Sequence, residues 1–217
     1  MCLFYVDATP GSSIDDPERP SIPDEGDKEE PKPDEDENVT GTLAFEDIWP
    51  SGGDYDMNDV IVEYERKVYF DKKNIVTKIV DEFTPVHDGA TYVNAFAYQI
   101  DAAQIGDKIT LPEGAILEKE TSSIIVMSNA KQNIGNKYVV TREFNGSFLK
   151  NQLLSYNPYI IVKYSQGEQN RTEVHLPKHK ATAYANQSLI GSNDDAYYID
   201  RKGAYPFAID IPMLGFT

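Results

Sequence analysis

The feature that most constrains the fold is a set of short segments in which apolar and polar residues alternate. In the segment 60–70, Val60, Val62 and Tyr64 fall on one face of an extended chain, and the residues between them fall on the other. A period of two is the pattern of an antiparallel strand that is buried on one face. This segment therefore predicts a strand with one face in the core.

Further segments have the same character, and turn residues such as Gly, Pro, Asn and Asp separate them. These strand candidates are Thr42–Phe45, Ile75–Phe83, Tyr92–Ile100, Ser123–Met127, Lys137–Phe144, Tyr159–Tyr164, Glu173–His175 and Phe207–Ile211. Helical periodicity is weak, and only 101–105 and 181–189 suggest a turn of helix. Many short strands at regular spacing predict an all-β fold, an antiparallel β-sandwich.

The N-terminal segment differs in composition from the rest of the chain. Between Asp15 and Glu37 there are twelve Asp or Glu, three Lys or Arg and five Pro, with almost no apolar residue. Such a segment cannot bury enough apolar surface to offset its ordering entropy, and proline and like-charge repulsion extend it. We therefore predict an N-terminal segment with a disordered acidic, Pro-rich linker over residues 1–40, and one folded domain over residues 41–217.

Charge and cysteine content limit the function classes. The formal net charge of −16 argues against nucleic-acid binding, which needs clustered Lys and Arg. No apolar run is long enough for a transmembrane helix. The one cysteine, Cys2, excludes an intrachain disulfide, and its position before an acidic linker is how a mature bacterial lipoprotein begins. An incidental cysteine explains this position equally well, so a lipid anchor near the N-terminus stays open.

One loop concentrates oxygen-bearing side chains. Five carboxylates and one carboxamide stand within fourteen positions: Glu46, Asp47, Asp54, Asp56, Asn58 and Asp59. Calcium takes about six to eight oxygen ligands, and carboxylates crowded together repel one another unless a cation neutralises them. The loop therefore predicts a calcium site. The alternative is an Asp/Asn-rich turn whose side chains bond to the backbone, which accounts for one or two of these residues.

The spacing within the loop is partly that of an EF-hand. Asp54, Asp56 and Asn58 have the spacing of its first three ligands. However, the EF-hand needs Gly at its sixth position, where this chain has Asp59, and a helix where this chain has a predicted strand. A carboxylate at the twelfth position, Glu65, is expected to point away along that strand. The ligand chemistry is thus similar to an EF-hand, whereas the scaffold is not.

The segment 45–60 resembles the signature of the LruC-type domain, a family of surface lipoproteins and secreted proteins of Gram-negative bacteria, largely of unknown function. The matching residues are Phe45-Glu46-Asp47, Trp49-Pro50-Ser51, Gly53-Asp54-Tyr55-Asp56 and Asn58-Asp59-Val60. Glu173–Pro177 is similar to the family's His-Leu-Pro segment. Residues 203–212 are similar to its Leu-Pro-Trp-Ala-Ile-x-Ile-Pro segment, with Phe207 in place of Trp.

The resemblance, which covers residue 41 to the C-terminus, implies a β-sandwich, export and a structural calcium site. The implied ligands are the residues at matching positions: Glu46, Asp47, Asp54, Asp56, Asn58 and Asp59. Two features depart from the family. A Pro/Glu linker stands where members often carry acidic calcium-binding repeats, and the chain stops at Thr217, sooner than the family usually does. Either strands are missing or this member is shorter.

Two other groups of polar residues are candidates for binding. The second acidic loop, Asn193-Asp194-Asp195, could complete the first site, form its own site, or be an ordinary polar turn. His175 and His179 straddle Pro177 and so do not share a helix face as a zinc pair would. We expect these histidines to lie at the surface or at the edge of the core.

Three functions stay open. The first is a non-enzymatic, calcium-binding, extracytoplasmic β-sandwich module of a bacterial surface protein, which binds or scaffolds an unidentified extracellular partner or glycan. The second is a calcium-dependent carbohydrate-binding module that uses aromatics near Tyr197, Tyr198 and Tyr205. The third is a calcium-dependent hydrolase that uses Asp54 or Asp56. We predict no catalytic residue, because no nucleophile, acid and base set stands out.

Overall fold

The computed structural model describes residues 35–146 and 148–216 of the 217-residue chain. The predicted linker up to residue 34, including Cys2, lies outside the described residues. The described residues belong to one compact unit. Within the described ranges there are strands and short 3₁₀ helices but no α-helix, and no helix long and apolar enough to cross a bilayer. The all-β prediction is confirmed.

Eleven strands form this unit. They are β1 (Glu35–Phe45), β2 (Val60–Phe70), β3 (Val76–His87), β4 (Ala95–Gln99), β5 (Lys108–Thr110), β6 (Ile116–Glu118), β7 (Ser123–Met127), β8 (Tyr138–Glu143), β9 (Asn157–Val162), β10 (Thr172–His175) and β11 (Ala208–Ile211). The 3₁₀ helices are Ala102–Gln104, Lys131–Asn133 and Lys150–Gln152.

The strands make two antiparallel sheets. The first has the order β11-β1-β2-β3-β8-β5, and the second has the order β10-β9-β4-β7-β6. The main core contains apolar residues of both sheets, among them Phe45 and Val62 from the first and Phe96 and Ile160 from the second. Because each sheet gives one apolar face to this core, the architecture is the β-sandwich that alternation predicts.

Strand β2 follows its predicted pattern. Val60 and Val62 are buried in the main core, and Tyr64 packs against that core from a partly buried position. Ile61 points the other way and packs with Met57 in a smaller apolar cluster. Alternate residues of β2 therefore pack on opposite faces of the sheet, on one face in the main core and on the other in the smaller cluster.

The first sheet contains a buried ion network. The Arg142 side chain is fully buried; its Nη2 lies 3.4 Å from Asp81 Oδ2, and its Nη1 donates to the Gln104 carbonyl at 2.7 Å. Arg66 Nε donates to Asp81 Oδ1 at 3.0 Å, and Tyr156 Oη donates to Asp81 Oδ2 at 2.8 Å. Burial raises the pKa of Asp81, and the two guanidinium groups oppose that rise.

The second sheet buries another polar network, and here the sequence prediction for His175 is wrong. His175 is fully buried rather than at the surface or core edge. Its Nε2 lies 3.0 Å from Glu173 Oε2, and its Nδ1 lies 2.7 Å from Asn157 Oδ1. Glu173 also accepts from Arg171 Nε at 2.7 Å and from the Thr182 hydroxyl at 2.7 Å. Because these partners satisfy the ring nitrogens, the imidazole can be buried.

Three element predictions differ from the structure. Strand β1 begins at Glu35, six residues before the predicted domain boundary at residue 41. Strands β5 and β6, of three residues each, were not predicted. The segment 181–189 forms turns and a bridge between Arg171 and Ala185 rather than a turn of helix, whereas 101–105 contains the 3₁₀ helix Ala102–Gln104.

Candidate metal centre

The acidic loop connects β1 to β2, which are antiparallel neighbours. Phe45 pairs with Val60 at the end of this ladder, so the two ends of the loop lie side by side. The Asp47 backbone N–H donates to Asp59 Oδ2 at 2.8 Å, which closes the base of the loop. Strand pairing thus brings together carboxylates that stand twelve positions apart in the sequence.

Three carboxylates converge within the loop. Glu46, Asp54 and Asp56 each place one oxygen within 4.8 Å of the others. Glu46 is buried, with 1% of its surface exposed, whereas Asp54 and Asp56 are exposed. Among the described residues, no Lys, Arg or His forms an ion pair with any of the three. The group therefore concentrates negative charge with one side open to solvent.

The backbone of the loop is strained at two alternate positions. Tyr55 has φ 56° and Met57 has φ 58°, in the left-handed region that side chains with a Cβ rarely adopt. Two contacts hold these residues in place. The Tyr55 ring stacks on Tyr205 with centroids 5.1 Å apart, and the Met57 N–H donates to Glu46 Oε1 at 2.6 Å. Strained backbone of this kind is concentrated at functional sites.

The environment of the loop disfavours the ionised forms of Glu46 and Asp59. Burial raises the pKa of Glu46 from 4.5 to about 7, and the nearby carboxylates of Asp59, Asp56 and Asp54 add to the rise, while the hydrogen bond from Met57 opposes it. Burial also raises the pKa of Asp59 to about 6. A bound cation would favour the ionised form of both groups.

The other three predicted ligands take different positions. Asp47 is buried, and its Oδ2 accepts from Asn94 Nδ2 at 2.8 Å. Asp59 accepts from the Asp47 backbone, so these two residues brace the loop beside the converging carboxylates. Asn58 Nδ2 donates to Asp56 Oδ2, which joins Asn58 to the group through its neighbour.

The second acidic loop packs against the first without adding a carboxylate to the group. Asp195 Oδ1 accepts from Trp49 Nε1 at 2.7 Å and from the Tyr198 N–H at 2.6 Å, and Asp195 Oδ2 accepts from the Gly191 N–H at 2.7 Å. Asp194 Oδ2 accepts from the Gly52 N–H at 3.0 Å. Both acids therefore hold the first loop by hydrogen bonds.

Two residues that position the site were not found from the sequence. Asn94, next to β4, bonds to Asp47 from a fully buried position, although nothing local to Asn94 distinguishes it from a turn residue. Gly89 packs on the loop, because a Cβ there would lie 2.8 Å from Asn58 Oδ1 and 3.0 Å from the Asn58 carbonyl oxygen. The Asp88-Gly89 pair predicts a turn, but it does not show that the turn packs against Asn58.

The three tyrosines predicted to stack on sugars have separate environments. Tyr198 is buried, with 1% exposed, and its ring lies against Trp49 at 4.8 Å, so it packs in the core and is not available to stack on a sugar. Tyr205 is 54% exposed but is already stacked on Tyr55. Tyr197 is 63% exposed. These residues therefore do not form one aromatic platform.

The fold is similar to that of a solved protein described as a "Putative lipoprotein from Bacteroides ovatus", with a TM-score of 0.60 and 17% sequence identity. The similarity covers 82% of this chain and 66% of the solved chain, so this chain spans just under two thirds of that protein's length. At this identity the likeness concerns the fold alone. No curated protein matches the chain.

A family match extends over most of the folded unit. Residues 74–216 match the family described as "Domain of unknown function (DUF4842)", and the matched region begins after the Glu46–Asp59 loop. The resemblance to the LruC-type domain is not confirmed by these comparisons and stays a prediction. Because the match spans more than half of the chain, the chain belongs to the DUF4842 family.

Proposed function

We propose that this chain is a non-enzymatic, calcium-stabilised β-sandwich module of an extracytoplasmic bacterial protein, used for binding or scaffolding. The observation that carries the proposal is the convergence of Glu46, Asp54 and Asp56, with no basic partner in the part of the chain that the structure describes. Three carboxylates so placed repel one another. A hard cation that takes oxygen ligands would neutralise their charge and bind to all three.

The donor set suits calcium better than a transition metal. All the converging atoms are carboxylate oxygens, whereas zinc prefers nitrogen and sulfur ligands. Asp54 and Asp56 are exposed, so water can complete the coordination shell. Glu46 would supply the buried ligand, and its hydrogen bond from Met57 N–H already orients the carboxylate.

Calcium would act here as a folding ligand. Its free energy of binding adds to the free energy of unfolding, because the unfolded chain does not hold the three carboxylates together. If the dissociation constant is about 0.1 mM, calcium at about a hundredfold excess stabilises the domain by about 2.7 kcal/mol.

The extracytoplasmic location draws support from two likenesses. The solved protein of similar fold is described as a lipoprotein candidate, and the 45–60 segment resembles a family of surface lipoproteins and secreted proteins. The acidic, Pro-rich composition of the sequence before the folded unit is that of an extended linker, which fits a module held outside a cell.

Thermal melting tests the proposal. The chain is melted in EDTA, with calcium and with magnesium. The matched variants are Asp54→Asn and Asp56→Asn, which remove one exposed carboxylate each, and Glu113→Gln, an exposed acid in another turn. We expect a calcium-selective rise in Tm for the parent chain and for Glu113→Gln, and a much smaller rise for the two loop variants.

Two outcomes would contradict the proposal. If calcium leaves the Tm of the parent chain unchanged, the loop is an Asx-rich turn and the module needs no metal. If the loop variants respond to calcium as strongly as the parent chain, the ion binds elsewhere.

A further inference from the structure

A cavity of about 290 Å³ lies between the two sheets, apart from the acidic loop. Leu43 and Tyr64 line it from β1 and β2, and Tyr98 and Pro158 line it from β4 and β9. No residue of the Glu46–Asp59 loop takes part. This volume is near the lower end of the range for small-molecule pockets, roughly 300–1,000 Å³, and suits one ring of a small ligand.

Tyr64 gives the cavity an aromatic wall. Gly41 lies opposite Tyr64 in the β1–β2 register, and a Cβ at Gly41 would come within 2.6 Å of the Tyr64 hydroxyl oxygen. Because Gly41 has no side chain, the ring lies over the neighbouring strand. The Tyr64 hydroxyl donates to Asp210 Oδ1 at 3.0 Å, which fixes the ring. The ring is thus held over the backbone of Gly41, and Tyr64 also lines the cavity.

Arg66 and Asp210 place a hydrogen-bond donor and an acceptor beside this wall. The Arg66 guanidinium lies 3.0 Å from the centroid of the Tyr156 ring, and its Nε donates to Asp81. Within the described residues, the terminal nitrogens of Arg66 have no hydrogen-bond partner. Asp210 is exposed and accepts from the Tyr64 hydroxyl, which leaves its carboxylate further acceptor capacity.

The balance of charge selects the kind of ligand. A carboxylate ligand placed here would be attracted by Arg66 and repelled by Asp210, and an ammonium ligand would meet the opposite combination, so a ligand of either charge gains little. A neutral ring with several hydroxyls avoids both repulsions, because each hydroxyl can accept from Arg66 and donate to Asp210. Its C–H face would pack on Tyr64.

We propose that this cavity binds one ring of a neutral saccharide. The rigid aromatic wall and the paired donor and acceptor are the features that such a ring needs. The proposal goes beyond the calcium-stabilised module and does not depend on it, since none of the cavity residues belongs to the metal loop.

Saturation-transfer NMR and titration calorimetry with a panel of neutral hexopyranosides and disaccharides test the cavity, with a hexuronate as the charged comparison. We expect a neutral saccharide to bind at millimolar concentration and the hexuronate to bind more weakly. Tyr64→Ala should weaken binding about tenfold or more, and Asp210→Asn by several-fold, since about 1.4 kcal/mol corresponds to tenfold. Asp54→Asn, in the metal loop, should leave binding unchanged.

Folding of the variants is checked by thermal melting, and Asp210→Asn is the main reporter because Asp210 is exposed. Tyr64→Phe keeps the ring and removes the hydroxyl, so it separates stacking from hydrogen bonding. If no neutral saccharide binds, if the hexuronate binds best, or if Tyr64→Ala and Asp210→Asn both leave binding unchanged in folded protein, the proposal is overturned. Repeating the titration in EDTA keeps this result separate from the calcium result.

Discussion

Replacing Glu46 with Gln isolates the effect of ionising a buried carboxylate in the acidic loop. Glu46 is 1% exposed, and burial with neighbouring acids raises its pKa to about 7. Gln has nearly the same shape and keeps an oxygen that can accept from the Met57 N–H. It cannot ionise, so Glu46→Gln removes the charge and leaves the packing in place.

The magnitude follows from the pKa shift. The rise from 4.5 to about 7 corresponds to about 3 kcal/mol, at about 1.4 kcal/mol per pKa unit. Between these two pH values the metal-free folded state binds more protons than the unfolded state. The stability that Glu46 contributes is therefore fully present below pH 4.5 and is lost as the pH rises through 7. The Gln variant does not undergo this loss.

Urea denaturation in EDTA, at a series of pH values, measures the difference. Near pH 8 we expect Glu46→Gln to be more stable than the parent chain by up to about 3 kcal/mol, and near pH 4.5 we expect the two to converge. Calcium at about a hundredfold excess over its dissociation constant should then remove most of this difference at pH 8, because it stabilises the parent chain and not the variant. Glu113→Gln, an exposed acid, should follow the parent chain throughout.

The reasoning is refuted if Glu46→Gln is no more stable than the parent chain at pH 8 in EDTA. That result would mean that water or other groups already stabilise the ionised Glu46 carboxylate. A cation would then relieve no free-energy cost at this residue.

Three further substitutions test other parts of the structure. Gly89→Ala should lower the Tm and weaken the calcium response, because its Cβ would lie 3.0 Å from the Asn58 carbonyl oxygen. Asp195→Ala should lower the free energy of unfolding in urea by about 2 kcal/mol, because Trp49 Nε1 loses its buried acceptor. Arg142→Ala should lower the free energy of unfolding in urea by about 3–5 kcal/mol, because it removes a fully buried cation from an ion network.

Strand β2 could be predicted to the residue, because two independent signals agree there. The alternation of apolar and polar residues continues over its length, and an acidic loop and the Asp71–Asn74 turn delimit it. The turn itself is local: Asp71 Oδ1 accepts from the N–H groups of Lys73 and Ile75. Where the forces that end a strand lie within a few residues of it, sequence alone is sufficient.

The start of β1 could not be predicted, because its strand state depends on a neighbour. Residues 35–41 pair with β2 only, while β11 covers the other side of β1 from Thr42 onward. An edge segment exposed in this way can carry charged residues on both faces, so its composition matches that of a linker. Strands β5 and β6 were missed for a different reason, since three residues are too few to show a period of two.

In the candidate site too, features set by nearby residues could be predicted, and features set by distant residues could not. The six oxygen-bearing residues of the loop were all visible in the sequence, because they stand within fourteen positions. The spacing does not show that three of them converge, that Asp47 and Asp59 brace the loop and that Asn58 bonds to Asp56. This arrangement depends on the Asn94 contact, which comes from 47 residues away.

The bracing contacts also determine how calcium would act on the whole domain. Trp49 and Asp195 are 146 residues apart in sequence, and Asp47 and Asn94 are 47 apart, so side-chain hydrogen bonds tie the loop to remote segments. Opening the loop would expose the Trp49 ring and leave the buried Asn94 amide without its acceptor. Loop opening and unfolding of the sandwich are therefore coupled, and calcium would raise the stability of the entire cooperative unit rather than order one flexible loop.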